Sequence, residues 1–250
     1  MPSTPWYVEA FRSEYRDVYA HRNLEAAREE VRWLAADVLP RDAGPLLDDC
    51  CGFGRHSLAL AEAGFDVFGI DLSHDLLVQA GALGEGTGQA LGGRVAQADM
   101  RALPFVGGAF GAVVNLFTSF GYLGEDGDGE ALAEMARVLR PGGVLVMDLM
   151  NPEAVRRGLR PRSRDELGEA VVEAERSLED GGKRVVKSVR LTLPTGEVRS
   201  WREDVRMYEP EEIDERLGRV GLAPVRRAGS FAGEPFDASR SERQIVVARA

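Results

Sequence analysis

The apolar positions of the chain change period twice. Leu24, Ala27, Val31, Leu34 and Val38 recur at spacings of three and four, which predicts an amphipathic helix with Asn23 as its N-cap, closing before Pro40. From Pro45 onward, short apolar runs alternate with helical stretches. Leu46–Cys50, Phe65–Ile70, Arg94–Ala98, Ala112–Phe117 and Val144–Met150 read as strands, and roughly 55–63, 74–83 and 129–139 read as helices. Apolar strands separated by helices predict a parallel sheet covered on both faces.

Around Asn151 this rhythm stops. The charged segments Ala170–Leu178, Arg184–Leu193 and Glu197–Tyr208 are joined by the turn signals Asp180-Gly181-Gly182 and Pro194-Thr195-Gly196, so an antiparallel meander is expected. A helix at about 210–218 and two last strands, Ala223–Ala228 and Gln244–Ala248, follow. The expected organisation is an N-terminal helical cover (1–44), a core (45–150), an antiparallel cap inserted within one domain (151–208), and a C-terminal segment (209–250) that completes the core.

The length, 250 residues, is enough for one well-buried core without disulfides or metal, and no metal site is expected. No apolar run approaches the ~20 residues that span a bilayer. The N-terminus lacks a basic segment followed by an apolar one, so no signal peptide is expected. Cys50 and Cys51 are sequence neighbours, ill-placed to pair with each other, which fits a reducing compartment and a cytoplasmic protein. The net charge of −10 lies in the first 150 residues, where 22 acidic side chains face 11 basic ones. An acidic field disfavours nucleic-acid backbones and anionic membranes, so a small molecule is the expected partner.

The most informative stretch is Leu46-Leu47-Asp48-Asp49-Cys50-Cys51-Gly52-Phe53-Gly54-Arg55-His56-Ser57, an apolar strand running through glycines into a helix. Glycines let a ligand approach the backbone, and the new helix presents free N–H groups. Alone, the pattern also fits a simple tight turn. Asp71 ends the next strand, 23 residues after Asp48, where a carboxylate can accept both hydroxyls of a ribose. Asp99 follows the third strand beside Met100, at a position suited to an adenine edge. Each acid alone could be a solvated helix cap. Their shared placement at the carboxyl ends of successive strands favours a binding crevice.

On these residues the sequence resembles the class I S-adenosylmethionine-dependent methyltransferases, over about residues 45–150. Asp48-Asp49-Cys50-Cys51-Gly52-Phe53-Gly54 is similar to the family's first motif, Gly69-Ile70-Asp71-Leu72-Ser73 to its second, and Ala98-Asp99-Met100 to its third. Leu139-Arg140-Pro141-Gly142-Gly143 resembles the marker before its fifth strand. One departure stands out: Cys50 occupies the place of the first glycine. The resemblance implies a Rossmann-like, mostly parallel seven-stranded α/β sheet with S-adenosylmethionine as cofactor and S-adenosylhomocysteine as product. It further implies that the loop residues Asp48, Cys50, Gly52 and Gly54 meet the amino-acid end of the cofactor. Asp71 with Leu72 would meet the ribose and Asp99 with Met100 the adenine, and Asn115 at the end of the fourth strand joins the set. The rival reading, a nicotinamide dehydrogenase, calls for a third glycine or alanine at the helix start, where this chain has Ser57.

The fourth strand ends in Asn115-Leu116-Phe117-Thr118-Ser119-Phe120-Gly121-Tyr122, whose rings Phe117, Phe120 and Tyr122 are the expected substrate pocket, with Phe231 at its rim. Aromatic faces attract a sulfonium, although Phe117 and Phe120 fit a plain core role equally well. Of the three histidines, His56 and His74 fall near helix starts, where capping or surface roles are expected. His21 lies in Tyr15-Arg16-Asp17-Val18-Tyr19-Ala20-His21-Arg22, which resembles the N-terminal cover of small-molecule N-methyltransferases. By that resemblance Tyr15 approaches the sulfonium and Arg22 the cofactor carboxylate. The expected function is methyl transfer to a small molecule, nitrogen favoured, with the cap as a surface for a homodimer. The run Arg156, Arg157, Arg160, Arg162, Arg164 keeps open an RNA base methyltransferase, and a non-catalytic cofactor-binding regulator is a third reading.

Overall fold

The structure is a computed structural model that describes residues 5–11, 18, 19, 22–42, 44–87 and 91–250. Among the described residues, eleven strands form two sheets. The larger has seven: β1 (Leu46–Asp49), β2 (Val67–Asp71), β3 (Val95–Gln97), β4 (Phe110–Asn115), β5 (Leu139–Met150), β10 (Ala223–Ala228) and β11 (Arg243–Arg249), in the order β10-β11-β5-β4-β1-β2-β3. Pairings from β5 to β3 are parallel, while β11 lies antiparallel to β5 and β10 antiparallel to β11. This is the expected Rossmann-like sheet. Its order reverses at β1, so the connections that leave β1 and β4 run in opposite directions and a crevice opens outside their carboxyl ends.

Strand alternation sends successive residues to opposite faces. Leu47, Val113, Leu145 and Val246 pack on one side with Leu132, Met135 and Leu217. Their neighbours Leu46, Val114, Val146 and Val247 pack on the other with Val31, Leu34 and Leu60. Seven helices frame these layers: α1 (Trp6–Ala10), α2 (Leu24–Trp33), α3 (Arg55–Glu62), α4 (His74–Thr87), α5 (Gly124–Val138), α6 (Pro152–Gly158) and α7 (Pro210–Arg219), counted among the described residues. The Asn23 side chain caps α2 by accepting from the N–H of Ala26 at 2.9 Å. Beyond Trp33 the helix continues as a widened π-helical turn, Leu34–Val38.

The second sheet is the cap: β6 (Arg162–Leu167), β7 (Ala170–Glu179), β8 (Arg184–Thr192) and β9 (Val198–Arg206), antiparallel throughout. The pattern of apolar residues predicts three of these strands and misses β6 and α6, which hold four of the five arginines of the run. The reason is pairing rather than periodicity. Arg162 faces Glu175 across the ladder at 3.0 Å, and Arg164 faces Glu173 at 3.1 Å. Arg156 reaches Glu209 at 2.6 Å, and Arg157 donates to the Ser239 carbonyl at 2.6 Å. The cap is fastened to the core at Gly121, whose backbone carbonyl accepts from the N–H of Arg206 at 2.8 Å. Gly121 sits at φ +103°, and a β-carbon there would fall 2.4 Å from the Arg206 carbonyl oxygen, so only glycine fits.

Candidate functional site

The crevice is built from the ends of four strands. After β1 the chain turns sharply: Cys50 adopts φ +65°, Gly52 +57° and Gly54 +79°, the last opening α3. Cys50 holds the left-handed conformation natural to the glycine it replaces, which costs a side-chain-bearing residue on the order of 1–2 kcal/mol. Gly54 is required for a second reason. A β-carbon there would lie 2.9 Å from that of Ala80 on α4. The loop is tied to β2 by Asp71, whose Oδ2 accepts from the N–H of Gly52 and whose Oδ1 accepts from Ser73, both at 2.8 Å.

Cys50, Gly52, Asp71, Leu72, Asp99, Met100, Phe117, Tyr122 and Arg22 all line one cleft. Burial pushes the Asp71 carboxyl up to about 6, against the hydrogen bonds from Ser73 and Gly52 that favour its anion. Asp99 is held below the usual carboxylate range by Arg101, which chelates both its oxygens. Asp48 and Asn115 lie beneath the lining rather than in it. Both are fully buried: Asp48 accepts from Ser57 Oγ at 2.6 Å, and Asn115 donates to Asp49 at 3.3 Å. Burial pushes Asp49 up to about 7, with Asn115 favouring its anion and Asp48, Asp71 and Asp99 opposing it.

Two expected pocket residues sit elsewhere. Phe120 is 1% exposed and packs on Tyr208 in the core, with ring centroids 5.3 Å apart. Phe231 packs against the opposite layer. Phe120 is consumed by core burial and Phe231 is half-buried against that layer, and neither lines the cleft. Tyr15 and His21 fall outside the described residues.

Several lining groups have no counterpart among the sequence motifs. Tyr7 and Phe11 of the N-terminal segment form a roof over the cleft, anchored where Ser73 Oγ donates to the Phe11 carbonyl at 2.6 Å. Tyr122 stacks on Phe11 at 5.8 Å and meets Trp6 edge-on at 4.9 Å. At the far end, Arg55 and His56 are nearly buried, and both bind Glu30 Oε2, at 2.6 and 2.7 Å. Burial pushes the Glu30 carboxyl up, yet the hydrogen bond from His56 and the Arg55 charge hold it below its ordinary value. The signal for Glu30 is present in the sequence: it lies among Ala27, Val31 and Leu34 on the stripe α2 buries, and a carboxylate there calls for a buried cation.

Phe117 is the centre of this end. Arg22 lies between the rings of Tyr19 and Phe117, 4.0 Å from each centroid. Arg55 stands 4.6 Å from the Phe117 ring and Arg243 5.3 Å. Lys187 of the cap lies 4.6 Å from the Tyr19 ring. Cations and rings therefore alternate from the cap, through the cover, to the core.

A donor set of this kind fits S-adenosylmethionine. A buried carboxylate at the end of β2 keeps lone pairs for ribose hydroxyls, Leu72 and Met100 offer apolar faces for a base, and guanidinium groups stand at the opposite end for a carboxylate.

Residues 46–143 match the methyltransferase domain family. The fold is that of the CcbJ methyltransferase from Streptomyces caelestis, with a TM-score of 0.81 at 22% identity over 97% of this chain and 98% of that one. CalS10 from Micromonospora echinaspora, an amino pentose methyltransferase solved with S-adenosylmethionine bound, aligns at 26% identity and a TM-score of 0.64 over 95% of this chain and 94% of that one. Among curated proteins, a glycine/sarcosine N-methyltransferase of Halorhodospira halochloris is 33% identical over 61% of this chain and 56% of its own length. The chain spans about half the length of the curated relatives that it matches. Domain match and fold agree: residues 46–143 match a methyltransferase domain, and the fold around them is that of S-adenosylmethionine-dependent methyltransferases of known structure. No helix among the described residues is long and apolar enough to cross a membrane.

Proposed function

We propose that the protein transfers a methyl group from S-adenosylmethionine to a nitrogen of a small-molecule acceptor. The observation that carries this reading is the cleft itself, in which Asp71 and the glycine loop face an aromatic wall of Tyr7, Phe11, Phe117 and Tyr122. The bound cofactor supplies an electrophilic methyl group. Asp71, ionised above pH about 6, accepts the ribose hydroxyls, and Arg22 with Arg55 attracts the carboxylate of the amino-acid end. The aromatic faces favour a cationic sulfur and keep water out. In-line displacement then depends chiefly on aligning the acceptor nitrogen with the methyl carbon.

The named activities of similar proteins support nitrogen as the acceptor atom, since they include glycine/sarcosine and amino sugar methyltransferases. The internal pairing of Arg156, Arg157, Arg162 and Arg164 favours a small molecule over RNA. The test is calorimetry with S-adenosylhomocysteine, followed by incubation with a labelled methyl donor and a fractionated metabolite extract. Saturable binding and a labelled amine are expected. Absence of binding to the folded protein, or label only in RNA, would overturn the reading.

A further inference from the structure

Phe117 and Thr118 are consecutive residues in the left-handed region, at φ +63° and +61°, and neither is glycine. Two adjacent residues in that conformation are strained and persist only where their surroundings impose them. Here the imposing group is Asp148 at the end of β5, 0% exposed. Its Oδ2 accepts from the N–H of Phe117 at 2.8 Å, and its backbone carbonyl accepts from the N–H of Thr118 at 2.9 Å.

Asp148 is in turn fixed by Arg243 of β11. The guanidinium binds both carboxylate oxygens, one of them at 2.8 Å, and also donates to Thr118 Oγ1 at 2.8 Å. Neither Asp148 nor Arg243 lines the cleft, whereas Phe117 does. The brace thus lies behind the wall, and the ring it sets is the platform on which Arg22 and Arg55 stand.

We infer that Asp148 and Arg243 are positioning residues for the amino-acid end of the methyl donor. Their ion pair holds the Phe117–Thr118 turn in its left-handed form, and the Phe117 ring then holds two guanidinium groups where a carboxylate can meet them. This rests on the donor-binding reading above. It also makes a prediction that general loosening of the fold does not share: the brace matters for ligands with an amino-acid end and is irrelevant to ligands without one.

The test compares S-adenosylhomocysteine with 5′-methylthioadenosine, which keeps the nucleoside and sulfur but lacks the amino-acid end. Asp148→Asn is expected to lower the affinity for the first about tenfold by calorimetry and to leave the second unchanged. Should Asp148→Asn fail to fold because Arg243 is left buried without its carboxylate, Thr118→Gly serves instead. Glycine tolerates φ +61°, so the fold is retained with an equal or higher melting temperature, while loss of the Arg243 contact loosens the ring and lowers S-adenosylhomocysteine affinity selectively. Equal weakening of both ligands, or no change in either, in the folded variant overturns the inference. Failure of the wild-type protein to bind either ligand overturns instead the donor-binding reading on which it rests.

Discussion

The two ends of the cleft are built on opposite electrostatic plans. At the β2–β3 end, carboxylates come from motif positions and find their partners nearby in sequence or on the adjacent strand end: backbone N–H groups for Asp71 and the Arg101 guanidinium for Asp99. At the β4–β5 end, cations and rings come from Tyr19, Arg22, Arg55, Phe117 and Lys187, drawn from cover, core and cap. The acidic end is local in sequence and assembled by the sheet edge. The cationic end exists only once distant segments have packed, so its energy is tied to the tertiary fold. A zwitterionic ligand with a polyhydroxylated, neutral end matches that asymmetry in both sign and position.

The comparison breaks most readily at Asp49. Its pKa is raised in the folded state to about 7 from an unfolded value near 4, so the folded protein binds the extra proton more tightly. Stability therefore falls as pH rises from about 4 to about 7. Asp49→Asn is expected to raise unfolding free energy at pH 8 by on the order of 4 kcal/mol, with little change at pH 4. Chemical denaturation at the two pH values checks it, and equal effects at both would refute a buried titrating acid.

The cationic end is tested by Glu30→Ala. Arg55 would keep its burial and lose its carboxylate, which costs about 3 kcal/mol for a largely buried pair; a loss below about 1 kcal/mol in the same assay would mean that water replaces Glu30 easily.

On the acidic side, Asp71→Ala is expected to weaken S-adenosylhomocysteine binding by about 1–3 kcal/mol. Wild-type affinity should also fall as pH drops below about 6, where Asp71 takes up its proton. Calorimetry across pH 5 to 8 reads both effects. The smallest effect concerns Cys50→Gly, which removes left-handed strain but adds chain entropy in the unfolded state; a net gain of about 1 kcal/mol or less is expected from thermal melts. A clear loss would show that the contact of the Cys50 sulfur with Met100, 3.6 Å away, outweighs the strain.

What the sequence reveals follows the same division. Asp71, Asp99, Met100 and the glycine turn are legible because one strand end and one short loop fix each of them. The centre of the seven-stranded sheet is legible because β1, β4 and the second half of β5 are largely apolar and buried on both faces. Glu30 shows only as a carboxylate on a buried stripe, with its partner hidden, and His56, Asp148 and Arg243 do not show at all, since each owes its role to a partner 26 to 95 residues away. His56 sits at a helix start, as its position predicts, yet it is buried against Glu30 rather than solvated. Phe120 and Phe231 mislead for a related reason: an aromatic near the crevice in sequence can still turn its ring into the core. Strand β6 escapes because its cross-strand charge pairs replace the apolar alternation by which strands are recognised.

The contact between Gly121 and Arg206 bears on how this architecture can be re-engineered. At this point the four-stranded sheet meets the half that holds the cleft backbone to backbone, with no side chain between them to absorb a mismatch. A chimera that imports a foreign sheet at residues 159–206 must therefore keep the bare α-carbon at position 121, or the graft will stand off from the scaffold.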